Sequence, residues 1–174
     1  MTTSRTSRVL GLDIRPRYAG FVCIEGRNAL VEFGVTAYTS PVRGEVRINF
    51  ILQKLRPSVL LLREITPESR RSEPKTLLLR SMAQVSARRT DTRVGVVLES
   101  QLREFFALHS ARTKHEMATR IAARYPELVW HLPHPRKAWE PQQRYMPLFD
   151  AAALALAFIE LSKRGELFAG LPAV

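Results

Sequence analysis

Residues 9–38 read VLGLDIRPRYAGFVCIEGRNALVEFGVTAY, and this stretch decides the fold. Val9–Ile14 is a short, mostly apolar run that suits a buried strand. The segment Arg15–Gly20 holds a proline and ends in glycine, so the chain turns there. Phe21–Gly26 and Ala29–Tyr38 are two further β-rich runs, joined through the hairpin residues Gly26, Arg27 and Asn28. The opening therefore predicts a three-stranded antiparallel meander.

Downstream the period changes. Val46, Phe50, Ile51 and Leu55 stand at helical spacing, and Pro57 stops that helix. Ser58–Leu62 and Val94–Leu98 are continuous apolar runs, as expected of strands covered on both faces. Glu64 lies just past the first of them and Glu99 at the end of the second. Between them Lys75–Arg88 reads as a helix. Ser100 is expected to cap a helix to Leu108, and Thr113 a second one to Ala123, with Glu116 completing a capping box. Trp130–Tyr145, with prolines at 133, 135 and 141, has no period and reads as a long loop. Pro147 opens the final helix, which runs to about Lys163. The element order is βββ-α-β-α-β-αα-α. The expected organisation is a basic tail over 1–8, one domain over 9–165 and a C-terminal tail over 166–174.

Composition narrows the function classes. With 174 residues, 45% hydrophobic and 25% charged, the chain suits one globular α/β domain and excludes a disordered or collagen-like polymer. The longest apolar stretch, Leu148–Leu161, is broken by Asp150 and Glu160 and is too short to span a bilayer. No secretory signal is read, and one cysteine, Cys23, forms no internal disulfide, so a reducing cytoplasmic setting is expected. Net charge is +11, carried by five lysines and 22 arginines. Guanidinium forks match phosphate oxygens, so a polyanion is the expected partner. The competing explanation is an arginine-rich composition with no ligand attached.

The acidic residues are more specific. Asp13 closes an apolar strand and Asp150 lies inside an almost wholly apolar helix. A buried carboxylate without compensation costs several kcal/mol. Two Mg²⁺ or Mn²⁺ ions shared by Asp13, Glu64 and Asp150 would supply that compensation through hard oxygen ligands. The same ions would equip the site for phosphodiester hydrolysis, one generating hydroxide and the other stabilising the leaving oxygen. Plainer roles are open too: Asp150 opposing a helix dipole, or Glu64 pairing with Arg63 or a loop arginine. Glu99 and Glu140 are reserve ligands.

Three segments carry a family resemblance. Gly11–Phe21, with a strand ending in Gly-x-Asp and Gly20 seven residues after Asp13, resembles the first motif of the RuvC family of Holliday-junction resolvases. Phe149–Ala157, an aspartate opening an alanine-rich helix, resembles that family's last motif, and Pro57–Glu64 its second ligand-bearing strand. The resemblance implies a ribonuclease H-like fold with a mixed five-stranded sheet, three strands antiparallel and two parallel, flanked by helices. It further implies a divalent-metal-dependent endonuclease acting on structured or branched DNA, with Asp13, Glu64 and Asp150 as metal ligands and catalytic residues, working as a homodimer. The chain departs from the pattern at two places. The second aspartate of the last helix falls on Ala153 or Pro147, and the usual glycine after the first aspartate is Arg15.

Basic and aromatic residues surround these acids in sequence. Arg15 and Arg17 follow Asp13, Arg70, Arg71 and Lys75 follow Glu64, and Lys114 opens a helix. Arg136, Lys137, Trp139 and Arg144 precede Asp150. Cations with interleaved rings are the equipment of a nucleic-acid surface. Trp130 and Trp139 serve equally well as covers over the core. His131 and His134 do not have zinc spacing, and no phosphate-cradling glycine loop or nucleophile arrangement is present. Three function classes stay open: a metal-dependent nuclease, a catalytically inactive nucleic-acid- or protein-binding domain of the same fold, and a scaffold that binds no nucleic acid.

Overall fold

The structure, a computed structural model, describes residues 7–67, 73–137, 139–141 and 143–171. Five strands form one sheet in the order β3-β2-β1-β4-β5: β1 Arg8–Ile14, β2 Tyr18–Glu25, β3 Ala29–Ala37, β4 Val59–Arg63 and β5 Arg93–Val97. β1–β2 and β2–β3 pair antiparallel, and β1–β4 and β4–β5 pair parallel. This is the mixed sheet expected of a ribonuclease H-like domain.

Period-two alternation divides the molecule into layers. Leu10, Leu12, Leu60 and Leu62 point to the face covered by α1 (Pro41–Leu55) and α2 (Pro74–Arg89). Val9, Val59, Leu61 and Val97 point to the face covered by α3 (Glu99–Leu108), α4 (Lys114–Arg124) and α5 (Met146–Ser162). α5 is buried on nearly every side, between the sheet and α3 and α4, which explains why its sequence is apolar all round. Buried Cys23 belongs to the opposite core, where burial pushes its thiol up to about 11, so it is not a nucleophile.

Several boundaries differ from expectation for local reasons. α1 begins before Val46, because the Ser40 hydroxyl accepts the Arg43 N–H and Pro41 occupies the first turn. α3 begins at Glu99 and not after Ser100, since the Glu99 N–H donates to Glu64 Oε2 at 3.0 Å and Gln101 Oε1 accepts the Leu98 N–H. The 3₁₀ turn over Pro126–His131 takes in Trp130 and His131, the first two residues of the expected loop. At the C-terminal end, the part of 166–174 that is described does not form a tail. Phe168 is buried against Phe158, and the Val96 N–H donates to the Ala169 carbonyl along β5.

One ion-pair cluster locks α3, α4 and α5. Glu160 accepts from Arg124 at 2.6 Å and pairs with His109 at 2.9 Å, while Arg124 also reaches Asn28 in the β2–β3 turn. Burial alone would raise the Glu160 carboxyl, but the bonds from Arg124 and His109 outweigh it and hold it below its ordinary value. A depressed acid stabilises the fold above its unfolded value of about 4.3 and loses that stabilisation as the pH falls through the folded value. Glu160→Gln is therefore expected to lower stability at pH 7 by roughly 1 kcal/mol. Its urea midpoint should fall less steeply than the native one below about pH 4.5.

Candidate functional site

Glycines bring the two buried acids together. Gly11 lies on the same face of β1 as Asp13, and a Cβ there would stand 2.0 Å from the Ala151 carbonyl oxygen of α5. Gly20 is the register partner of Asp13, and a Cβ there would stand 2.2 Å from the Pro147 carbonyl. The first two turns of α5 thus press on bare backbone at β1 and β2, which seats Asp150 beside Asp13. They are 3% and 5% exposed, respectively, so neither is solvated enough to stand alone.

Three cations meet them. Arg15 Nε donates to Asp13 Oδ2 at 2.7 Å and its Nη2 to Asp150 Oδ2 at 2.9 Å. Arg63 Nη2 donates to Asp150 Oδ1 at 3.1 Å, and its Nε lies 3.9 Å from Asp13 Oδ1. Lys114 Nζ adds a third contact to Asp150, at 3.1 Å from Oδ2. Burial is the main cause that raises the Asp13 carboxyl, with the Asp150 charge adding to it and Arg15 and Arg63 opposing. Burial likewise lowers Arg15, but Asp13 and Asp150 outweigh it and leave that guanidinium raised, firmly charged. The turn that carries Arg15 is fixed by Tyr38, whose hydroxyl contacts the Arg15 and Tyr18 carbonyls.

These residues do not fit a pair of divalent ions. All four oxygens of Asp13 and Asp150 already face a guanidinium or ammonium group, three positive charges against two negative. A divalent cation would enter against that surplus and would have to displace Arg15 from both acids. Among the described residues, no three histidine, cysteine or acidic side chains stand in an arrangement that could hold a metal ion.

Glu64 shares a cleft of about 450 Å³ with Asp13, Arg15, Arg63 and Lys114, but its carboxylate is engaged at the N-terminus of α3. Strand parity explains this. Leu61 faces α5, so Arg63, two residues on, faces the acids, whereas Glu64 leaves the strand on the other side. Arg63, expected from sequence only as a partner for Glu64, instead pairs with Asp150, and counting alternate residues from Val59 would have placed it there. Arg80 and Thr76, one turn apart on α2, line the same cleft, each with a buried polar atom that has no hydrogen-bond partner among the described residues. Burial lowers the Arg80 guanidinium to about 10.

The remaining candidates spread outward. Glu99 lines the cleft, while Glu140 is a loop staple that accepts the Lys137 N–H at 3.0 Å. Arg17, Lys75, Arg136, Lys137, Trp139 and Arg144 are exposed. Trp130 and Trp139 cover no core, being 92% and 79% exposed. Arg70 and Arg71 lie outside the described residues.

No family model and no curated protein matches the chain. Solved structures do. Thermus thermophilus RuvC in complex with a Holliday-junction substrate superposes with a TM-score of 0.67 at 18% identity, over 91% of this chain and 96% of that one. Another Thermus thermophilus RuvC structure gives 0.66 at 20% identity over the same shares. The yeast mitochondrial Holliday junction resolvase Ydc2 gives 0.59 at 14% identity, over 88% of this chain and 78% of that one. A likeness at these scores over most of each chain gives this chain the fold of the RuvC-type Holliday-junction resolvases, within the ribonuclease H-like architecture.

Proposed function

We propose that this chain is a nucleic-acid-binding domain of RuvC-like fold. It holds branched or structured DNA with Arg15, Arg63 and Lys114 standing where a nuclease of this fold would place divalent ions, and it does not hydrolyse the backbone. The observation that carries this reading is the saturation of Asp13 and Asp150 by those three cations. The fold shared with a RuvC bound to junction DNA supports the choice of ligand, as does the net charge of +11. In this reading the acids serve to hold the three cations in place, and the exposed cations Arg17, Lys75, Arg136, Lys137 and Arg144 contact the phosphates. The homodimer implied by the resemblance remains part of the proposal. Val42, Val46 and Phe50, exposed at four-residue spacing on α1, offer it an apolar face, and light scattering on the native chain and Val46→Glu tests it.

Four-way junction, flap and duplex DNA, each with Mn²⁺ or with EDTA, form the test. Junction binding is expected in both conditions. If the five exposed cations each take a phosphate, affinity should fall roughly 500-fold between about 50 and 200 mM salt. Cutting that requires Mn²⁺ and disappears in Asp13→Asn would overturn the reading in favour of the nuclease with Asp13, Glu64 and Asp150 as ligands. An affinity indifferent to salt would instead favour a scaffold.

A further inference from the structure

The segment from Trp130, at the end of the 3₁₀ turn, to Tyr145 is built to display its rings. His134 and Gln143 close its neck with two bonds, the His134 N–H to Gln143 Oε1 at 2.9 Å and Gln143 Nε2 to the His134 carbonyl at 3.1 Å. At the tip, the Glu140 N–H donates to the Lys137 carbonyl, Glu140 Oε2 accepts the Lys137 N–H, and Arg136 reaches the Glu140 carbonyl. Trp139 stands inside that tip turn with the Lys137 ammonium 5.3 Å from its ring centroid. At the base, His131 packs against Tyr145 at 4.8 Å and Phe33 at 5.7 Å, and neighbouring Trp130 projects away from the core. Arg144 lies over the Tyr145 ring.

An exposed tryptophan leaves a large apolar surface in water, and two in one segment call for a partner. Flanking cations select an anionic one. A ring held by a stapled turn loses little entropy on binding, and a nucleobase offers it a flat apolar face without sequence preference. Bases inside an intact duplex are stacked on one another and present no such face. We propose that Trp139 and Trp130 form a stacking site for unpaired nucleobases, with Arg136, Lys137 and Arg144 on the adjoining phosphates. The chain then prefers DNA carrying single-stranded nucleotides, as at a flap, gap or opened branch point, over fully paired duplex. This inference rests on the DNA-binding reading above and names its substrate class.

These are the only two tryptophans in the chain, so intrinsic fluorescence reports on this segment alone. Oligothymidine is expected to quench it and blunt duplex to leave it largely unchanged. Trp139→Ala should weaken oligothymidine binding about tenfold while duplex affinity stays within about twofold. Trp139→Phe, which keeps a ring, should recover most of the loss. Because Trp139 is exposed, unchanged thermal unfolding of both variants confirms that folding is not the cause. Junction DNA bound in gels with no quenching by oligothymidine would overturn the stacking site and leave the DNA-binding reading standing. No binding of any DNA at low salt would overturn both. Quenching or a blue shift with anionic phospholipid vesicles, but not with oligothymidine, would overturn it in favour of a lipid surface.

Discussion

Gly11→Ala is expected to destabilise this protein by about 4 kcal/mol or more, a large share of the roughly 5–15 kcal/mol that holds an ordinary domain together. The added methyl would meet the Ala151 carbonyl oxygen at 2.0 Å and its carbon at 3.0 Å, both backbone atoms of a helix enclosed on nearly every side. Neither atom can swing away as a flexible side chain would, so α5 must lift from β1 and the core between α5 and the sheet opens with it. Gly34→Ala is the matched control. Its Cβ would stand 3.1 Å from the edge of the Phe21 ring, which can shift, and alanine is itself favoured over glycine in a strand by about 0.5–1 kcal/mol, so the net change is expected to stay within about 1 kcal/mol. Urea unfolding of the three chains decides the matter. Equal midpoints for the two variants would mean that α5 does not sit on β1 as described.

Asp150→Ala carries the second large effect, and its sign differs between stability and binding. Removing this acid strips Arg15 of one partner, Arg63 of its hydrogen-bonded one and Lys114 of its only ion pair in the cluster. Uncompensated charges at a buried site cost about 3–5 kcal/mol when one partner of a cluster is deleted. Asp13 remains, so the lower part of that range is expected. The substitution also adds one unit of positive charge to the cleft, and the affinity for junction DNA at low salt should therefore rise. A nuclease that relied on Asp150 to hold metal would behave differently, losing metal-dependent cutting. Fluorescence anisotropy on labelled junction, beside a urea titration, separates the two outcomes.

Much of the fold was readable because its signals are local. The Gly-x-Asp strand end and the glycine seven residues later are visible as letters, and the structure shows why both are glycines: each is where α5 touches bare backbone. The Thr113–Glu116 capping box started α4 where expected. Expectations failed where a partner distant in sequence decides. α3 starts at Glu99 because Glu64, from another strand, accepts its first N–H, and no local pattern around Ser100 encodes that. Phe168 and Ala169 pack because β5 presents an open edge, again a property of the assembled sheet.

The same divide runs through the site. Asp13 and Asp150 were legible as acids in apolar surroundings that need compensation, and they do meet. The identity of the compensating charge was not. As a letter, Arg15 reads as a departure from the family pattern and as a nucleic-acid contact, and its bridging of both acids depends on the turn fixed by Tyr38. Lys114 and Arg63 come from α4 and β4, whose approach to Asp150 requires the whole fold.

In the proposed reading, side-chain cations occupy the place of divalent ions at Asp13 and Asp150. Electron paramagnetic resonance of Mn²⁺ titrated into the native chain measures this directly, since bound Mn²⁺ loses the sharp signal of the free ion. An excess of protein is expected to leave the free-ion signal intact at neutral pH. Stoichiometric loss of that signal, abolished in Asp13→Asn, would contradict it.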